Sequence, residues 1–348
     1  MLILGLETSC DETAAAVVRD GTTVRSNVIA TQHDLHARYA GVVPEIASRA
    51  HLERLLPVVR EAMAEARLSL DELDAIAVGH RPGLIGSLLV GVSAAKSLAW
   101  SLGIPIIGVD HVLAHLHAGL LEAPPIEYPA LGLVVSGGHT SLFLVRSPLE
   151  IELRGRTIDD AMGEAYDKAA TILGLGYPGG PLLDRLAQGG NDRAVEFPVT
   201  LLAGDSLDFS FSGLKTAVLY EVRGHPVGRG DGARFERDVA SLTDDRKVDL
   251  AASFQRAAVR AIMKKLERAR QKHPDARALL VGGGVSANSR LRAELTEFVA
   301  AHGLDLRLPR MEYCLDNAAM IAGAAYARLV GGQVDDLALS AHPQTALT

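Results

Sequence analysis

A polar-turn hairpin that occurs twice constrains the fold of this 348-residue chain more than any other feature. Residues 2–6 and 14–19 predict two strands around the turn TSCDET, and Asp20-Gly21 turns the chain into a third strand near 22–30. The same order returns from residue 130, where ALGLVV, the turn SGGHT and SLFLVR precede LEIELRGRTI. Each hairpin therefore presents a polar turn between its first two strands.

One shift of the chain aligns the two hairpins. It superposes Gly5 on Gly132, Leu6 on Leu133, Ser9 on Ser136, Thr13 on Thr140, Val18 on Val145 and Arg19 on Arg146. Two amphipathic hairpins can share a few identities by chance, but this register holds across both strands and the turn. We therefore favour duplication of one hairpin-bearing unit.

Helix and strand patterns fill the sequence around the hairpins. Apolar residues recur at helical spacing over 48–66, and short apolar strands at 76–79 and 104–110 each lead into a helix. Strands that alternate with helices predict an α/β fold with two similar halves and a cleft between them. The length suggests two domains at roughly 150 residues each. We expect their bounds at 1–125 and 126–348, with the last helix able to pack back on the first domain.

Composition and charge narrow the class of protein. Hydrophobic residues make up 48% of the chain and charged residues 22%, as in ordinary soluble enzymes. A net charge of −7 and a single tryptophan, Trp100, argue against a protein that grips nucleic acid unaided or stacks bases. The two cysteines cannot build a disulfide framework, the N-terminus lacks a basic signal-peptide start, and no apolar run reaches the ~18 residues of a membrane span. We expect a soluble, cytoplasmic protein without a membrane partner.

A histidine pair is the strongest metal-binding signal. His111 and His115 are four residues apart at the start of a helix, so both imidazoles share one helix face. A polar helix face or an N-terminal cap would explain the same pair. Asp316, near the start of the last helix, is the best placed carboxylate for a third ligand, and two histidines with one carboxylate suit iron while leaving zinc open. Val112 stands where a zinc protease needs its glutamate.

Several polar or glycine-rich turns follow predicted strands, where α/β sheets bind ligands. The turn 136–140 has paired glycines that let backbone N–H groups approach an oxyanion. The segment 281–288 resembles a nucleotide-binding turn, and Asp167 with 176–181 forms another candidate wall. The first hairpin turn is acidic, so Asp11 and Glu12 suit orienting a metal or accepting a proton. Each of these turns taken alone can have a structural role only, because turns need glycine and small polar residues anyway.

Eight motifs in order over residues 7–322 give the chain a family resemblance. They are ETSCDET, HVLAH, VSGGHT, GEAYDKAA, GYPGGP, FSFSGLKTA, GGGVSANSRLR and DNAAMIA. Together they closely resemble the tRNA threonylcarbamoyladenosine transferase family, once described as glycoprotease-like. The resemblance implies the actin-like ATPase and sugar-kinase fold, with two duplicated domains and a cleft between them.

The resemblance also implies a reaction. The family moves a threonylcarbamoyl group from threonylcarbamoyl-AMP to the exocyclic amine of the adenosine 3′ of the anticodon, in tRNAs that read codons beginning with A, and AMP leaves. The bacterial branch works with a paralogous actin-like subunit and a small ATPase. Because the mixed anhydride is already activated, positioning and charge stabilisation should dominate catalysis.

Site residues are carried over position by position. His111, His115 and Asp316 match the family's metal ligands, with iron the usual metal and zinc the alternative. The substrate contacts match Val135, Ser136, Gly137, Gly138, His139, Asp167, Gly180 and Asn288, and Asp184 is a ribose partner by the same resemblance. We add the hypothesis that Asp11 or Glu12 takes the proton from the attacking amine.

Three other functions are weighed against this one. A sugar or acetate kinase of the same fold would phosphorylate a small molecule without needing the histidine pair. A metalloprotease would rest on His111 and His115, against Val112, and a noncatalytic scaffold would lose no activity without His111. The glycine-rich, charged segment 223–246 predicts an exposed excursion outside the site, and 256–272 is a candidate basic surface for RNA unless it is an ordinary solvated helix face.

Overall fold

Strands and helices alternate along the chain. The computed structural model describes residues 1–36, 39, 41–227, 235 and 237–345. The first half contains β1 (Leu2–Glu7), β2 (Glu12–Arg19), β3 (Thr23–Thr31), α1 (His33–His36), α2 (Pro44–Ala66), β4 (Ala75–Arg81), α3 (Ile85–Leu102), β5 (Ile106–Asp110) and α4 (His111–Ala118). The second half contains β6 (Ala130–Val135), β7 (Thr140–Ser147), β8 (Glu150–Arg156), α5 (Met162–Ile172), α6 (Gly179–Ala187), α7 (Ser212–Arg223), α8 (Asp244–Lys272), β9 (Ala278–Gly282), α9 (Ser289–His302), β10 (Asp305–Arg307) and α10 (Ala318–Val330).

The two halves repeat one sheet topology. Over the described residues, the strands form two five-stranded sheets with the orders β3-β2-β1-β4-β5 and β8-β7-β6-β9-β10. In each sheet the central strand pairs antiparallel with the next strand of its hairpin and parallel with a strand from further along the chain. The hairpins share their register, since Gly5 pairs with Ala16 and Gly132 with Phe143. The predicted α/β fold with duplicated halves is confirmed.

Helices cover both faces of the first sheet because its central strands are apolar on both faces. Ile3 and Ala14 belong to a buried cluster with α10, whereas Leu4 and Ala15 belong to a cluster with α2 and α3. Successive strand residues point to opposite faces, so neighbours in sequence fill different layers. Burying each such leucine or isoleucine stabilises the fold by about 1.5–3 kcal/mol.

Two helices cross between the halves. α4 follows the first sheet in sequence, yet Val112 and Leu116 pack on the second sheet, while Ala114 faces the first. α10 follows the second sheet but packs on the first. The repeated glycines explain part of this exchange. A Cβ on Gly5 would overlap the Ala318 carbonyl of α10, and one on Gly132 would press on Leu116 of α4.

Some predicted bounds differ from the structure. Helix α6 begins at Gly179, inside the segment 174–181 that the glycines and prolines predict as a loop. The last helix begins at Ala318 with Asn317 as its N-cap, so Asp316 lies just before it. The expected domain division at 125/126 falls between α4 and β6.

The segment 223–246 is only partly described. Residue 223 ends α7, a 3-10 helix covers Val239–Ser241, and α8 begins at Asp244. Residues 228–234 and 236, a third of the expected excursion, lie outside the described residues.

Helix α3 has the length and apolar composition of a membrane-spanning helix, contrary to the expectation from apolar runs. Such a helix is weak evidence for a membrane, because core helices of soluble proteins pass the same test. Here Leu88, Val92 and Ala95 are buried against the first half's core.

Candidate active site

The polar turns meet at the carboxyl ends of the parallel strands. His111 directly follows β5, Glu7 ends β1, Ser136 follows β6 and Gly283 follows β9. Ligands of α/β sheets bind at this edge. The first helical turn of α4 is fixed by Asp110, whose Oδ1 accepts from the backbone N–H of Val112 at 3.0 Å and is an N-cap.

Three predicted metal ligands converge there. Asp316 Oδ1 lies 3.4 Å from Nε2 of His111 and 3.3 Å from Nε2 of His115. Ligand atoms about 2.1 Å from a tetrahedral cation are separated by roughly 3.4 Å, so the spacing fits one ion.

The burial of His115 strengthens that fit. Its side chain is fully buried, and within the described part of the chain neither ring nitrogen has a hydrogen-bond partner. Buried polar atoms are nearly always bonded, and an exception calls for an ion or water. The Asp316 oxygen is close to Nε2 but outside hydrogen-bond geometry, which is the arrangement expected of two ligands directed at a common point.

A buried carboxylate binds the second ring nitrogen of His111. Glu7 is fully buried, and its Oε2 accepts from Nδ1 of His111 at 3.0 Å. Its second oxygen, Oε1, accepts from the backbone N–H of Ser9 at 2.5 Å. Nδ1 of His111 therefore carries the proton, and Nε2 is left as the ligand atom. Metal-binding histidines commonly have such a carboxylate behind them.

The pKa values of His111 and His115 shift in opposite directions when no ion is bound. Burial lowers the pKa of His111, but the carboxylates of Asp316 and Glu7 outweigh burial and raise it well above its usual range. Burial dominates at His115 and lowers its pKa. The imidazoles hold the pKa of Asp316 well below its ordinary value despite burial. Burial and the same two imidazoles lower the pKa of His139 to about 4, so His139 is neutral near pH 7.

The loop after β6 faces the open cleft. Val135 ends the strand, Ser136 is buried, and Gly137 and Gly138 are exposed with open space above their Cα atoms. Among the described residues, the backbone N–H groups of Gly137 and Gly138 have no hydrogen-bond partner. The loop is braced from behind, where the Gly163 N–H donates to the Ser136 carbonyl at 3.2 Å. Two free amides on a fixed loop can bind an oxyanion.

Asp167 fixes the start of α6. Its Oδ1 accepts from the backbone N–H of Gly179 at 2.8 Å and of Gly180 at 3.3 Å. Burial raises the pKa of Asp167 in spite of these bonds. Burial and the carboxylates of Asp11 and Asp167 raise the pKa of Tyr177, in the loop before α6, to about 12.

Asp184 and Asn288 share Gln255 as a hydrogen-bond partner. Asp184 accepts from Gln255 Nε2 at 3.0 Å and from the hydroxyl of Ser289 at 2.7 Å. Asn288 donates from Nδ2 to Gln255 Oε1 at 2.9 Å and caps α9 by accepting from Leu291. These bonds hold the turn that follows β9. That turn adjoins the 135–139 loop, because a Cβ on Gly283 would overlap the Val135 carbonyl.

The acidic hairpin turn lies beside the histidine pair, because the Ser9 hydroxyl that precedes it is 3.2 Å from Nδ1 of His111. Asp11 and Glu12 are 8% and 6% exposed, and His33 Nε2 is 3.4 Å from Glu12 Oε1 and 3.9 Å from Asp11 Oδ2. Burial, with smaller effects of Asp316 and Asp11, raises the pKa of Glu12 to about 8, although its bond to His33 acts in the opposite direction. The turn thus places two carboxylates near the metal-type cluster, one of them protonated at neutral pH.

Sequence comparison assigns the chain. Residues 23–323 match the family model of tRNA N6-adenosine threonylcarbamoyltransferase. The chain belongs to this family. Among its relatives, the tRNA N6-adenosine threonylcarbamoyltransferase of Trichlorobacter lovleyi is 53% identical over 98% of this chain and 95% of its own length. The enzyme of the same name from Symbiobacterium thermophilum is 48% identical over 99% and 97%.

Solved structures of other proteins share the fold of this chain. HypF from T. kodakarensis has a TM-score of 0.60 at 16% identity and covers 95% of this chain and 48% of its own. Component A of the Acidaminococcus fermentans (R)-2-hydroxyglutaryl-CoA dehydratase has a TM-score of 0.53 at 12% identity and covers 95% and 99%. These likenesses confirm the actin-like, sugar-kinase-like fold class and carry nothing on chemistry.

The family assignment favours a transferase over the small-molecule kinase, the metalloprotease and the scaffold. Sequence reasoning did not identify two residues of the site. Glu7 belongs to the ETSCDET motif and was not predicted as a site residue, although a carboxylate that ends a central strand is a signal of a site there. Gln255 is 4% exposed on α8 and gave no signal, because its partners come from distant segments.

The segment 256–272 is not the free basic surface suggested by its composition. Lys265 is fully buried and its Nζ donates to the carbonyls of Leu201 and Ser206 at 2.7 Å. Arg268 donates to the same two carbonyls, and Lys272 donates to that of Asp205. These cations hold the loop 201–206.

Proposed function

We propose that this protein transfers the threonylcarbamoyl group from threonylcarbamoyl-AMP to the exocyclic amine of the adenosine 3′ of the anticodon, in tRNAs that read codons beginning with A. The amine nitrogen bonds to the carbamoyl carbon, the bond from that carbon to the phosphate oxygen breaks, AMP leaves and the amine loses a proton. The observation that carries the proposal is the family match over residues 23–323. The strand-end cleft supplies groups suited to each part of this reaction.

His111, His115 and Asp316 would hold one divalent cation, with iron the first candidate and zinc the second. When bound, such a cation supplies Lewis-acid polarisation and a template for the oxygens of the mixed anhydride. Glu7 keeps the proton on Nδ1 of His111 and so presents Nε2 to the site.

The loop 135–139 would bind and orient the acyl donor. The free amides of Gly137 and Gly138 suit the phosphate and carbamoyl oxygens, and the neutral His139 can donate a hydrogen bond without adding charge. Asp167 and Gly180 would line the adenylate end, where Oδ2 of Asp167 has no hydrogen bond to the described residues. Asn288 and Asp184 would act there chiefly by fixing the turn after β9.

Glu12 or Asp11 would accept the proton from the amine. A carboxyl whose pKa is about 8 is a stronger base, once ionised, than an ordinary glutamate. Its position in the same turn as Ser9, which contacts His111, suits an acceptor close to the cation site. Replacing Asp11 and Glu12 separately and finding near-normal single-turnover rates would remove this role.

The partners would be tRNA, a paralogous actin-like subunit and a small ATPase, in the cytoplasm. An apolar face supports a protein partner, because α2 exposes Leu52 and Leu56 and α3 exposes Leu89 and Trp100. Exposed apolar surface of this kind marks interaction sites. The net charge of −7 supports a complex in which another subunit contributes to holding RNA.

Nucleoside analysis after reconstitution tests the proposal. The purified chain, its partners and unmodified tRNA are supplied with threonine, bicarbonate, ATP and the adenylate-forming synthase, with a known homologue as a working control. We expect threonylcarbamoyladenosine from the wild type and a loss of at least about 100-fold in His111→Ala. No modified nucleoside from the wild type, beside an active control, would overturn the proposal.

A further inference from the structure

A single buried imidazole holds both ends of the acidic turn. His51 lies on α2 and is fully buried. Its Nε2 is 3.0 Å from the carbonyl oxygen of Cys10, and its Nδ1 is 2.8 Å from the hydroxyl of Thr13. Cys10 and Thr13 flank Asp11 and Glu12 directly, so one side chain bridges the two residues that border both carboxylates.

The partners of His51 fix its protonation. A carbonyl oxygen only accepts, so Nε2 of His51 carries the proton and donates to Cys10. Nδ1 is then the acceptor, and the Thr13 hydroxyl donates to it. A neutral imidazole with the proton on Nε2 satisfies both contacts, and burial lowers the pKa of His51 in the same direction.

A second layer of buried polar groups supports this imidazole. The side-chain amide nitrogen of Gln32 lies 3.4 Å from the ring and donates to the Ala47 carbonyl of α2. The Gln32 oxygen accepts from Nε2 of His36, whose Nδ1 accepts from the backbone N–H of Val43. Gln32 and His36 are fully buried. In addition, the Gln32 backbone N–H donates to the Asp11 carbonyl at 3.0 Å.

We propose that His51, supported by Gln32 and His36, is a positioning residue that holds the Asp11–Glu12 carboxylates at the cleft. It does not touch substrate and acts through the turn 10–13. The catalytic part of this inference rests on the proposed function, because it assumes that the turn serves the transfer reaction. Buried polar networks that are fully bonded fix one conformation of the groups they hold.

Two variants remove the contacts with little change in volume. Thr13→Val replaces a fully buried hydroxyl by a methyl group and removes one of the two bonds, and His51→Phe keeps a ring but removes both. Ser26→Ala is the matched control. Ser26 is a buried hydroxyl on the neighbouring strand β3, it accepts from the Val17 N–H at 3.2 Å, and it lies away from the acidic turn.

The alkylation rate of Cys10 measures the order of the turn. The chain has two cysteines. Burial and the Asp11 carboxylate raise the pKa of the Cys10 thiol, so it should react slowly in the wild type, while the buried Cys314 reports on global unfolding. We expect Cys10 labelling, relative to Cys314, to rise roughly 5-fold in Thr13→Val. In His51→Phe, with two lost bonds, the rise should reach at least about 10-fold. Ser26→Ala should match the wild type.

The transfer reaction supplies the second measurement. We expect kcat to fall ~10-fold or more in both variants with KM for tRNA within about 2-fold, because a misplaced carboxylate impairs chemistry more than binding. Cys10 labelling equal to that of Ser26→Ala would overturn the proposal, and so would faster labelling with an unchanged kcat. If His51→Phe fails to fold, Thr13→Val carries the same test. A wild type without any product would overturn the proposed function, whereas labelling, which needs no substrate, would still decide whether His51 holds the turn.

Discussion

Glu7 illustrates how a residue outside the predicted ligand set can determine what a ligand does. The imidazole of His111 has two nitrogens, and only a proton fixed on Nδ1 leaves Nε2 free to face Asp316. Glu7 Oε2, 3.0 Å from Nδ1, fixes that proton from a fully buried position. A neutral amide in its place could still touch the ring but would no longer favour this tautomer by charge.

We predict that Glu7→Gln weakens divalent-metal binding about 10-fold to 100-fold. Competition titration against a chromogenic chelator measures this directly, without any assay of activity. The control is Glu72→Gln, which removes the same charge from an exposed 3-10 turn. Equal metal affinities in the two variants would contradict the role assigned to Glu7.

The raised pKa of Glu12 makes a prediction about stability. Its ordinary value is near 4.5 and rises to about 8 in the folded chain, first because of burial. Between these values the unfolded chain has lost the proton and the folded chain keeps it, so the free energy of unfolding falls as pH rises through this window. Glu12→Gln is neutral in both states and avoids the loss.

The stability difference between Glu12→Gln and the wild type should therefore grow with pH. We expect it to be small near pH 4.5 and to reach roughly 2–4 kcal/mol in favour of the variant near pH 8. Urea unfolding in the presence of a chelator measures it. Glu53→Gln on the exposed side of α2 should show no such growth. A difference that stayed constant between pH 5 and pH 8 would show that Glu12 ionises normally.

At the scale of elements, helix α4 couples the metal-type ligands to the second sheet. The helix packs so closely on β9 that a Cβ on Gly282 would overlap the carbonyl oxygen of His115. The backbone fixes the position of a Cβ atom, and the atom that it would overlap is a backbone oxygen, so rotating a side chain cannot relieve the overlap. Any relief must move α4, and the two histidines move with it.

We predict that Gly282→Ala destabilises the fold by about 1–3 kcal/mol and also weakens metal binding, because the strain acts at His115. Gly284, two residues further along the chain, provides the comparison. A Cβ on Gly284 would meet only the end of the Leu315 side chain at 3.3 Å, so Gly284→Ala should change both quantities less. Denaturant unfolding and chelator titration of both variants measure the effects, and equal behaviour would exclude the close approach.

The elements also show what sequence can and cannot predict. Local patterns predict both hairpins and the helix that starts at His111, because turns and helix starts depend on neighbouring residues. The start of α6 within 174–181 was missed, since Asp167 stabilises it from another helix by binding Gly179 and Gly180.

The same limit applies to the site. Periodicity places His111 and His115 on one face, and the position of Asp316 near the last helix makes it a candidate third ligand. The packing of α10 on the first sheet is what brings Asp316 to the pair. His51 looks like any core position of an amphipathic helix, because the hydrogen bonds that distinguish it reach residues about 40 positions earlier. Long-range contacts of this kind have no signature in a single sequence.

At the scale of the whole molecule, the two halves are held together by α4 and α10, each of which packs on the sheet of the other half. α4 packs on the second sheet and α10 on the first, so the site residues from both halves rest on shared helices. His111 and Asp316 lie at the starts of these two helices. A movement of one half relative to the other would therefore act directly on the distance between them.

The face of α2 and α3 that points away from the core is the surface where we expect a protein partner to bind. Ile85, Leu89 and Trp100 lie along one stripe of α3, and Trp100 is 75% exposed. Leu52, which α2 exposes, is the residue after the buried His51, so a partner on this face would press on the helix that holds the acidic turn. Docking there would couple assembly to the site through a single turn of α2.

We predict that Leu89→Lys weakens the complex with the proposed paralogous subunit by at least about 10-fold, because an unpaired charge would be buried at the interface. Unfolding of the isolated chain should change by less than about 0.5 kcal/mol, since Leu89 is exposed. Trp100 is the chain's single tryptophan, so 5-fluorotryptophan gives one ¹⁹F resonance that should shift on docking. Val330→Lys, an exposed position at the end of α10, is the control and should bind like the wild type. An unshifted resonance in a complex that still forms would place the partner on another surface.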